Sequence, residues 1–385
     1  MQLTPTSEAE LAEIVRGADN PLFIRGGGTR GILGDGAVLN TTRLNGITLY
    51  EPGALTMVAG AGTPLAQIEA ALETEGQMLA FEPFTFGAEG EPTIGGVFAT
   101  NASGARRVQV GAARDFLLGV RFVDGMGNVI KNGGRVMKNV TGYDLVKLMA
   151  GAYGTLGVLS EVSFKVLPKP AAAITLAVNV ANDGTGIRAL GAAMNTPFDV
   201  SGAAMVSHSG SAGGKCLIRV EGFQGSVRHR ADSLKPVLAE FGTVSECQDD
   251  PWPRLRRLEV FDAKVDATWR LALRPGDAAA FVAELAKTMT FSRYYDWAGG
   301  RLLIGARGSN VTKGSAETPE AGLIAFHHLL QKMAAKTGGH AALLKSSLPL
   351  DVARFQPESA GIAALSRGIR AKFDPKGILN PGVMG

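Results

Sequence analysis

Glycines spaced for contact with a phosphate group form the first chemically informative segment. The run PLFIRGGGTRGILG contains Gly26, Gly28 and Gly31, which satisfy the G-x-G-x-x-G pattern of a dinucleotide-binding turn. In a Rossmann fold this turn must open a helix, whose N-terminal amides and dipole bind the pyrophosphate. Residues 31–46 carry further glycines and no apolar stripe of helical period, although Glu51 lies near the distance expected for a ribose-binding acid. The missing helix argues against a Rossmann turn.

Two other interpretations of this segment stay open. Three successive glycines let backbone N–H groups curl into a nest for an anion, to which a threonine adds a hydroxyl donor and two arginines add positive charge. The residues of this candidate anion site are Arg25, Gly26, Gly27, Gly28, Thr29 and Arg30. The alternative is a plain glycine-rich turn flanked by solvated arginines, and the segment alone does not decide between the two.

A second glycine-rich segment, TIGGVFATNASG, spans residues 93–104. A pyrophosphate needs several backbone N–H donors at close range, and only small side chains permit that approach. The segment combines such small residues with polar ones, and its candidate binding residues are Thr93, Gly95, Gly96, Thr100, Asn101, Ser103 and Gly104. Each of them is also compatible with a turn or a capped helix end.

Six segments, in order along the chain, resemble those of the vanillyl-alcohol-oxidase-type FAD-binding fold, also called the PCMH-type domain. They read IRGGGTRG, MVAGAGTPLAQIEAALETEG, TIGGVFATNASG, RDFLLGVRFVDGMGNVIKNGG, KNVTGYDLVKLMAGAYGTLGVLSEVSFKVLP and KFDPKGILNPG. The resemblance implies that the first and third segments hold the FAD pyrophosphate. It also implies that Gly157 and Val158 run beside the adenine or flavin ring, and that Asn380 reaches the cofactor from the C-terminal segment.

The FAD that this resemblance implies is expected to bind non-covalently. Many members of the family attach FAD through a histidine in or near these loops. Here position 29 is threonine, and residues 1–207 contain neither histidine nor cysteine. The flavin domain therefore offers no such side chain for a covalent link.

The closing segments are most similar to flavoproteins that oxidise 2-hydroxy acids such as glycolate or D-lactate. In those relatives a hydride passes to the flavin, and a base, typically histidine, removes the hydroxyl proton. The catalytic relatives carry a C-terminal histidine-rich set, and none of the histidines here lies in such a context. They are His208, His229, His327, His328 and His340. His327 and His328, adjacent on a predicted helix, point about 100° apart, so no metal site is expected.

Two further segments, Trp269–Leu273 and Asp296–Gly300, resemble parts of the FAD-binding E subunits of bacterial glycolate oxidases. That resemblance implies two partners: a larger flavoprotein subunit that carries the catalytic residues, and an iron–sulfur subunit that passes electrons onward. The leading hypothesis is an FAD-binding subunit of a complex that oxidises glycolate to glyoxylate. A self-sufficient D-2-hydroxy-acid dehydrogenase, with Tyr143 or His208 as its base, is the first alternative. A structural partner with a vestigial FAD is the second.

Two arginines are candidates for binding the carboxylate of the substrate. Arg270 and Arg274 are predicted to lie on one face of a strand that spans residues 268–273. Contact with another subunit, or simple exposure to solvent, would explain arginines at these two positions equally well.

Composition excludes several other classes of protein. Of 385 residues 45% are hydrophobic and 19% charged, as in a folded protein. The net charge of +4 is too small and too dispersed for nucleic-acid binding. Cys216 and Cys247 form no metal or disulfide pattern and indicate reduced thiols. With no apolar run of spanning length and no visible secretory signal, a cytoplasmic location is expected. Association with the inner face of a membrane through a partner stays open.

The elements that must position these residues indicate an α+β fold in two domains. A PCMH-type FAD-binding domain is predicted over residues 1–170, ending at the proline-rich boundary LPKP. Strands and helices alternate over residues 171–345, which predicts a cap domain with an antiparallel sheet backed by helices. Residues 346–385 are predicted to return and pack on the FAD-binding domain. Residues 81–114 show no long periodic segment and are predicted to be an ordered loop region.

Overall fold

The chain forms two compact units, each with its own core. The computed structural model describes residues 2–31, 34–85, 91–135, 142–207, 213–261, 265–311 and 318–384. The first unit contains Met1–Gly104, Gly111–Lys169 and Pro357–Gly385, and the second contains Ala105–Val110 and Pro170–Gln356. The predicted first boundary lies next to the observed one.

Up to residue 169 the described chain forms short strands and short helices. The strands are β1 (Gln2–Leu3), β2 (Leu22–Arg25), β3 (Ala37–Asn40), β4 (Ile47–Glu51), β5 (Thr56–Gly60), β6 (Gln77–Met78), β7 (Leu117–Val123), β8 (Val129–Gly133), β9 (Val158–Lys165) and β10 (Leu167–Pro168). The helices are α1 (Glu8–Gly17), α2 (Leu65–Glu73), α3 (Ile94–Ala99), α4 (Arg107–Val110), α5 (Ala113–Phe116) and α6 (Leu145–Met149).

The strands of the first unit build three sheets. β1, β3 and β2 form a parallel sheet in that order, and β6 pairs with β10. The order β4-β5-β9-β7-β8 gives a five-stranded antiparallel sheet. As predicted, β7 and β8 form a hairpin at the D-G turn, where the Asp124 carboxylate accepts the N–H groups of Met126 and Asn128, each at 2.9 Å.

Helix α1 shows how the sequence specifies the core beside the parallel sheet. The Ser7 hydroxyl accepts the Glu10 N–H at 3.2 Å, which begins the helix. The apolar residues Leu11 and Val15 then lie on one face and are fully buried. The same core contains Leu379, so the C-terminal segment contributes to it.

The second unit is built on one large antiparallel sheet. Its strands are β11 (Ala172–Val180), β12 (Val200–Ser207), β13 (Gly214–Gly222), β14 (Thr243–Glu246), β15 (Ala267–Ala272), β16 (Ser292–Asp296), β17 (Arg301–Ala306) and β18 (His340–Ser346). The helices of the rest of the chain are α7 (Asp183–Met194), α8 (Gln224–Ala239), α9 (Trp252–Arg256), α10 (Pro275–Leu285), α11 (Gly308–Val311), α12 (Pro319–Lys336) and, in the first unit, α13 (Ala360–Phe373).

The sheet order is β14-β11-β13-β12-β16-β17-β15-β18. One face of this sheet and the long helices share a core in which the Trp269 and Phe326 rings meet edge to face at 4.9 Å. The predicted α+β class, with an antiparallel sheet backed by helices, is confirmed.

Three details differ from the sequence-based expectation. β12, β14, β16 and β18 were not predicted, and residues 81–114 contain the short helices α3 to α5 among their loops. Residues 346–356 were assigned to the C-terminal segment, whereas the structure groups them with the second unit. The reason is strand pairing, because the Leu343 N–H donates to the Arg354 carbonyl at 2.9 Å.

Candidate cofactor site

Both glycine-rich segments line one cleft in the first unit, with about 890 Å³ of empty volume that includes open solvent at its mouth. The predicted residues that line it are Arg25, Gly26, Gly27, Gly28, Thr29, Arg30, Thr93, Gly95, Gly96, Thr100, Gly157, Val158 and Asn380. Lining residues that the sequence analysis missed include Phe23, Ile24, Thr41, Ala61, Pro92, Met149, Ala152, Tyr153 and Leu159.

The first glycine-rich turn leaves β2 and offers unused hydrogen-bond donors. The N–H groups of residues 26–29 make no hydrogen bond within the described part of the chain. Between β2 and β3 the described residues form no helix, and β3 runs parallel to β2 with Asn40 opposite Arg25. A turn with several free N–H donors at the end of a strand suits an anion. It does so without the helix that a Rossmann turn requires.

The first glycine-rich turn packs closely against residues 91–93, where the second segment begins. A Cβ atom on Gly27 would lie 1.7 Å from the Glu91 carbonyl oxygen, and one on Gly26 would lie 2.5 Å from the Thr93 hydroxyl. Gly28 has φ +72°, and a Cβ there would meet the Arg25 guanidinium at 2.4 Å. The Glu91 backbone excludes a side chain at Gly27, and the positive φ favours glycine at position 28, so the first turn can follow this path against residues 91–93.

In the second segment, N–H groups are already hydrogen-bonded to other residues of the chain. The Thr93 hydroxyl accepts the Gly96 N–H at 3.2 Å and so caps α3, while the Gly95 N–H donates to the Ala61 carbonyl at 2.8 Å. A Cβ on Gly95 would lie 2.6 Å from that same carbonyl oxygen. The glycine at position 95 is therefore required by the packing of α3 on Ala61.

Three predicted residues hold the loop after α3 and lie outside the cleft lining. The Asn101 side chain accepts the Arg114 N–H and the Ser103 hydroxyl accepts the Ala113 N–H, both at 2.9 Å. The Gly104 N–H donates to the Phe81 carbonyl at 2.7 Å. These bonds fix the path of the chain between α3 and α5.

Asn380 joins the C-terminal segment to two walls of the cleft. Its side-chain carbonyl accepts the Ile24 N–H, and its amide donates to the Tyr153 carbonyl, each at 2.7 Å. Its own N–H donates to the Leu22 carbonyl at 3.1 Å. The residue is 3% exposed and has φ +45°, a conformation that asparagine tolerates better than most residues. Both polar groups of the side chain are thus bonded to the chain, and Asn380 positions β2 beside Tyr153.

The charges and surfaces of the cleft suit an anionic ligand with an apolar part. Of the described lining residues, only Arg25 and Arg30 carry a charge, and none is acidic. Apolar side chains such as Met149, Val158 and Leu159 supply the remaining surface. Free backbone donors, two arginines and an apolar wall are the groups that a pyrophosphate joined to a flat ring system requires, so the residues present fit FAD.

The two candidate substrate residues of the second unit have different surroundings. β15 ends at Ala272, so Arg274 lies beyond the strand, at the start of α10, and its guanidinium pairs with Asp277 at 2.8 Å. The prediction that both arginines share one strand face is therefore wrong. Arg270 lies on β15, and its guanidinium makes no ion pair or hydrogen bond with the described residues.

The neighbours of Arg270 on the same sheet face form a buried ion pair. Arg301 lies on β17, on the same face as Arg270, and pairs with Asp296. Burial raises the pKa of Asp296 and lowers the pKa of Arg301, since the interior disfavours both charged forms. The Arg301 guanidinium also lies 4.2 Å from the centre of the Trp297 ring. The charge of Arg301 is thus compensated by Asp296, whereas the charge of Arg270 has no such counterpart among the described residues.

The sequence analysis also missed a buried ionic cluster in the second unit. Glu221 pairs with Arg106 at 2.6 Å and with Arg219 at 3.1 Å, and the Arg219 guanidinium lies 4.5 Å from the centre of the Trp252 ring. No local motif signals this cluster, because Arg106 and Glu221 are 115 residues apart.

The candidate bases and histidines lie away from the cleft lining or outside the described residues. Tyr143 is 87% exposed and does not line the cleft, and His208 falls outside the described residues. His327 is fully buried, accepts the Trp269 indole N–H at 3.1 Å, and burial lowers its pKa to about 4. The described residues contain no group of three or more His, Cys, Asp or Glu that could hold a metal ion. None of their helices is long and apolar enough to cross a bilayer.

Comparison with known proteins identifies the family. A family model described as an FAD binding domain matches residues 2–133. The glycolate oxidase subunit GlcE of Escherichia coli (strain K12) is 33% identical over 370 residues, which are 94% of this chain and 92% of the relative. The chain belongs to the GlcE family of FAD-binding proteins. The resemblance to PCMH-type flavoproteins is therefore confirmed, and FAD is the cofactor of this oxidoreductase.

Two further similarities cover part of the chain and all of it, respectively. A D-lactate dehydrogenase of Archaeoglobus fulgidus is 34% identical over 174 residues, 43% of this chain and 38% of that protein. Among solved structures, 4-ethylphenol oxidase from Gulosibacter chungangensis matches with a TM-score of 0.74 and 14% identity, covering all of this chain and 88% of that one. At that identity the structural match speaks for the fold alone. The family is one of FAD-dependent oxidoreductases whose relatives act on 2-hydroxy acids.

Proposed function

We propose that this chain is the FAD-binding subunit of a glycolate oxidase complex, which oxidises glycolate to glyoxylate. In this complex it relays electrons from, or supports, a larger catalytic flavoprotein subunit, and an iron–sulfur subunit receives the electrons. The observation that carries the proposal is the full-length similarity to GlcE, in a chain whose cleft presents unused backbone donors to an anion. The subunit role, the partners and glycolate itself belong to the proposal.

The first glycine-rich turn is the proposed pyrophosphate site. The N–H groups of residues 26–29 would donate to the phosphate oxygens, and Arg25 and Arg30 would offset their charge. Gly157 and Val158 would lie along the ring system, and Asn380 would hold the walls together. Bound FAD supplies a two-electron acceptor for hydride. It would be held non-covalently, since residues 1–207 contain no histidine or cysteine.

The described lining of the cleft lacks the residues that usually act as the base. It contains no histidine, lysine or carboxylate, and Tyr153 is its one phenol. A base must take the hydroxyl proton while hydride leaves the adjacent carbon. This composition favours a division of labour in which the partner flavoprotein carries the base. Under the alternative in which this chain oxidises a 2-hydroxy acid itself, Arg270 is the proposed carboxylate-binding residue, because its guanidinium has no partner among the described residues.

Two spectroscopic measurements test this proposal. The purified chain should turn yellow with FAD, and anaerobic glycolate should leave its flavin oxidised until the catalytic subunit is added. A chain that stays colourless with FAD would contradict every flavoenzyme interpretation. Bleaching by glycolate or D-lactate in the isolated chain would instead establish the self-sufficient dehydrogenase. A complex that keeps full activity with Gly28→Asp, which blocks the turn, would establish the structural role with a vestigial FAD.

A matched pair of arginine variants tests the carboxylate site under the self-sufficient alternative, with glycolate oxidation measured on the isolated FAD-loaded chain. Arg270→Met should raise the KM for glycolate by at least about tenfold, since a charge-assisted hydrogen bond contributes about 1.5–3 kcal/mol. Arg274→Met is the control, because Arg274 is exposed and already paired with Asp277. Equal KM values for the two variants would remove Arg270 from the substrate site.

A further inference from the structure

Helix α13 exposes apolar residues on one face. None of the 14 residues of this helix, AGIAALSRGIRAKF, is buried in the described chain. Ile362, Leu365 and Ile369 are 55%, 70% and 41% exposed. Their spacing of three and four residues places them side by side along the helix. Single exposed apolar residues are ordinary on protein surfaces, but three adjacent ones on one helix form a candidate contact surface.

Two glycines on the same side of the helix have no role in the packing of this chain. A Cβ atom on Gly361 or Gly368 would meet no atom within 4 Å. At 100° per residue, Gly361, Leu365, Gly368 and Lys372 fall within about 60° of one another around the helix. A glycine inside a helix costs about 0.5–1 kcal/mol relative to alanine. The close approach of another chain is a physical reason to keep such a position free of a side chain.

The charges at the two ends of this surface are opposite and unpaired. Glu358 precedes the helix and Lys372 lies in its last turn, and both are exposed. Neither forms an ion pair with the described residues. An antiparallel partner helix with the same charges would place an acidic group beside each lysine.

The positions of these residues are symmetric about Leu365. Ile362 and Gly368 lie three residues on either side of it, Gly361 and Ile369 lie four, and Glu358 and Lys372 lie seven. In an antiparallel pair of identical helices, residues at equal distances before and after the centre face each other. Each isoleucine then faces a glycine, each lysine faces a glutamate, and Leu365 meets its own copy on the axis.

We propose that α13 packs antiparallel on α13 of a second copy of this chain, on a two-fold axis through Leu365. Large residues fit against glycines in this arrangement, as ridges fit into grooves in helix packing. Because the sequence of the surface complements itself in both shape and charge, a second copy is the occupant that it fits. A single helix pair buries less than the roughly 1,200 Å² of a standard interface, so the expected dimer is weak and reversible.

Sedimentation velocity of the FAD-loaded chain tests this pairing. The wild-type chain should shift from monomer to dimer between about 1 µM and about 100 µM, the range expected for a small reversible interface. Leu365→Glu, which places two like charges on the axis, should weaken the dimer at least about tenfold. Arg367→Glu is the control, because Arg367 lies on a different side of the helix. Circular dichroism and FAD binding should show that both variants fold.

Charge exchange tests the register of the two helices. Lys372→Glu alone should weaken the dimer, and the addition of Glu358→Lys should restore it, since the pairs then form with reversed sign. A chain that is monomeric at all these concentrations would overturn the proposal. A dimer that Leu365→Glu leaves unchanged would overturn it as well. If Leu365→Glu disrupts only the binding of another subunit, self-pairing is wrong and the surface belongs to that subunit.

Discussion

Gly27→Ala is the most informative perturbation of the proposed FAD site. A Cβ atom at this position would lie 1.7 Å from the Glu91 carbonyl oxygen, about half the distance of an ordinary contact. The backbone of the turn, or that of Glu91, must therefore move by more than 1 Å, roughly, for the methyl group to fit. A displacement of that size takes a hydrogen bond of about 2.9 Å beyond the limit at which it still contributes.

The expected loss of FAD affinity follows from the donors on this turn. A hydrogen bond to a charged group contributes about 1.5–3 kcal/mol, and residues 26–29 offer four N–H groups. Losing one such bond should raise the Kd for FAD by about 10-fold to 150-fold. Crowding of the turn should also lower the free energy of unfolding of the apoprotein by about 1–3 kcal/mol.

Titration of apoprotein with FAD, followed by quenching of flavin fluorescence, measures the affinity, and urea unfolding measures the stability. Gly17→Ala is the matched control, because a Cβ there meets nothing within 4 Å and the position lies at the end of α1. This control should bind FAD like the wild type. If Gly27→Ala binds FAD with unchanged affinity, the assignment of this turn as the pyrophosphate site is refuted, whatever its effect on stability.

Three further predictions concern residues that position the fold around the site. Asn380→Ala should weaken FAD binding and cost about 2–4 kcal/mol in urea unfolding, because it removes the two buried side-chain hydrogen bonds to the Ile24 N–H and the Tyr153 carbonyl. Burial lowers the pKa of His327 from 6.5 to about 4, so below pH 6.5 the unfolded state binds a proton that the folded state does not. The free energy of unfolding should therefore drop by about 2 kcal/mol from pH 7 to pH 5. His327→Gln should abolish that drop. Asp296→Asn should cost about 3–5 kcal/mol in the same assay, because it removes the charge that opposes a buried arginine.

The sequence predicted those parts of the fold that depend on local patterns. The two glycine-rich segments, the D-G hairpin after β7 and the capped helix α1 have local signatures. The hairpin and α1 agree with their signatures because each is stabilised by hydrogen bonds between residues close in the chain.

The parts that the sequence did not predict depend on contacts between distant residues. The close approach of Gly27 to Glu91 joins positions more than 60 residues apart, and nothing near either residue signals the other. The hydrogen bonds of the Asn380 side chain to Ile24 and Tyr153 join residues more than 200 positions apart, and no local pattern signals them. The strands β12 and β16 were missed because they lie inside a sheet, where cross-strand pairing outweighs the weak intrinsic preference of their residues.

Arg270 and Arg274 were wrongly predicted to share one strand face because they are close together in the sequence. Arg274 follows Ala272 closely enough in sequence to suggest one strand, yet Pro275 begins α10 and turns the chain away. Only the three-dimensional arrangement separates an arginine already paired with Asp277 from one without a partner among the described residues. Arg270 is therefore the stronger candidate for the substrate carboxylate.

We propose that the chain holds FAD in the cleft at residues 26–29 without a covalent bond. The most direct measurement is to load the purified chain with FAD, precipitate it with acid and separate pellet from supernatant. We expect one FAD per chain, all of it in the supernatant as free FAD, and less FAD on Gly27→Ala when both proteins are loaded at an FAD concentration near the wild-type Kd. Yellow colour that stays with the precipitated protein, or equal loading of the Gly27→Ala variant at that concentration, would contradict this expectation.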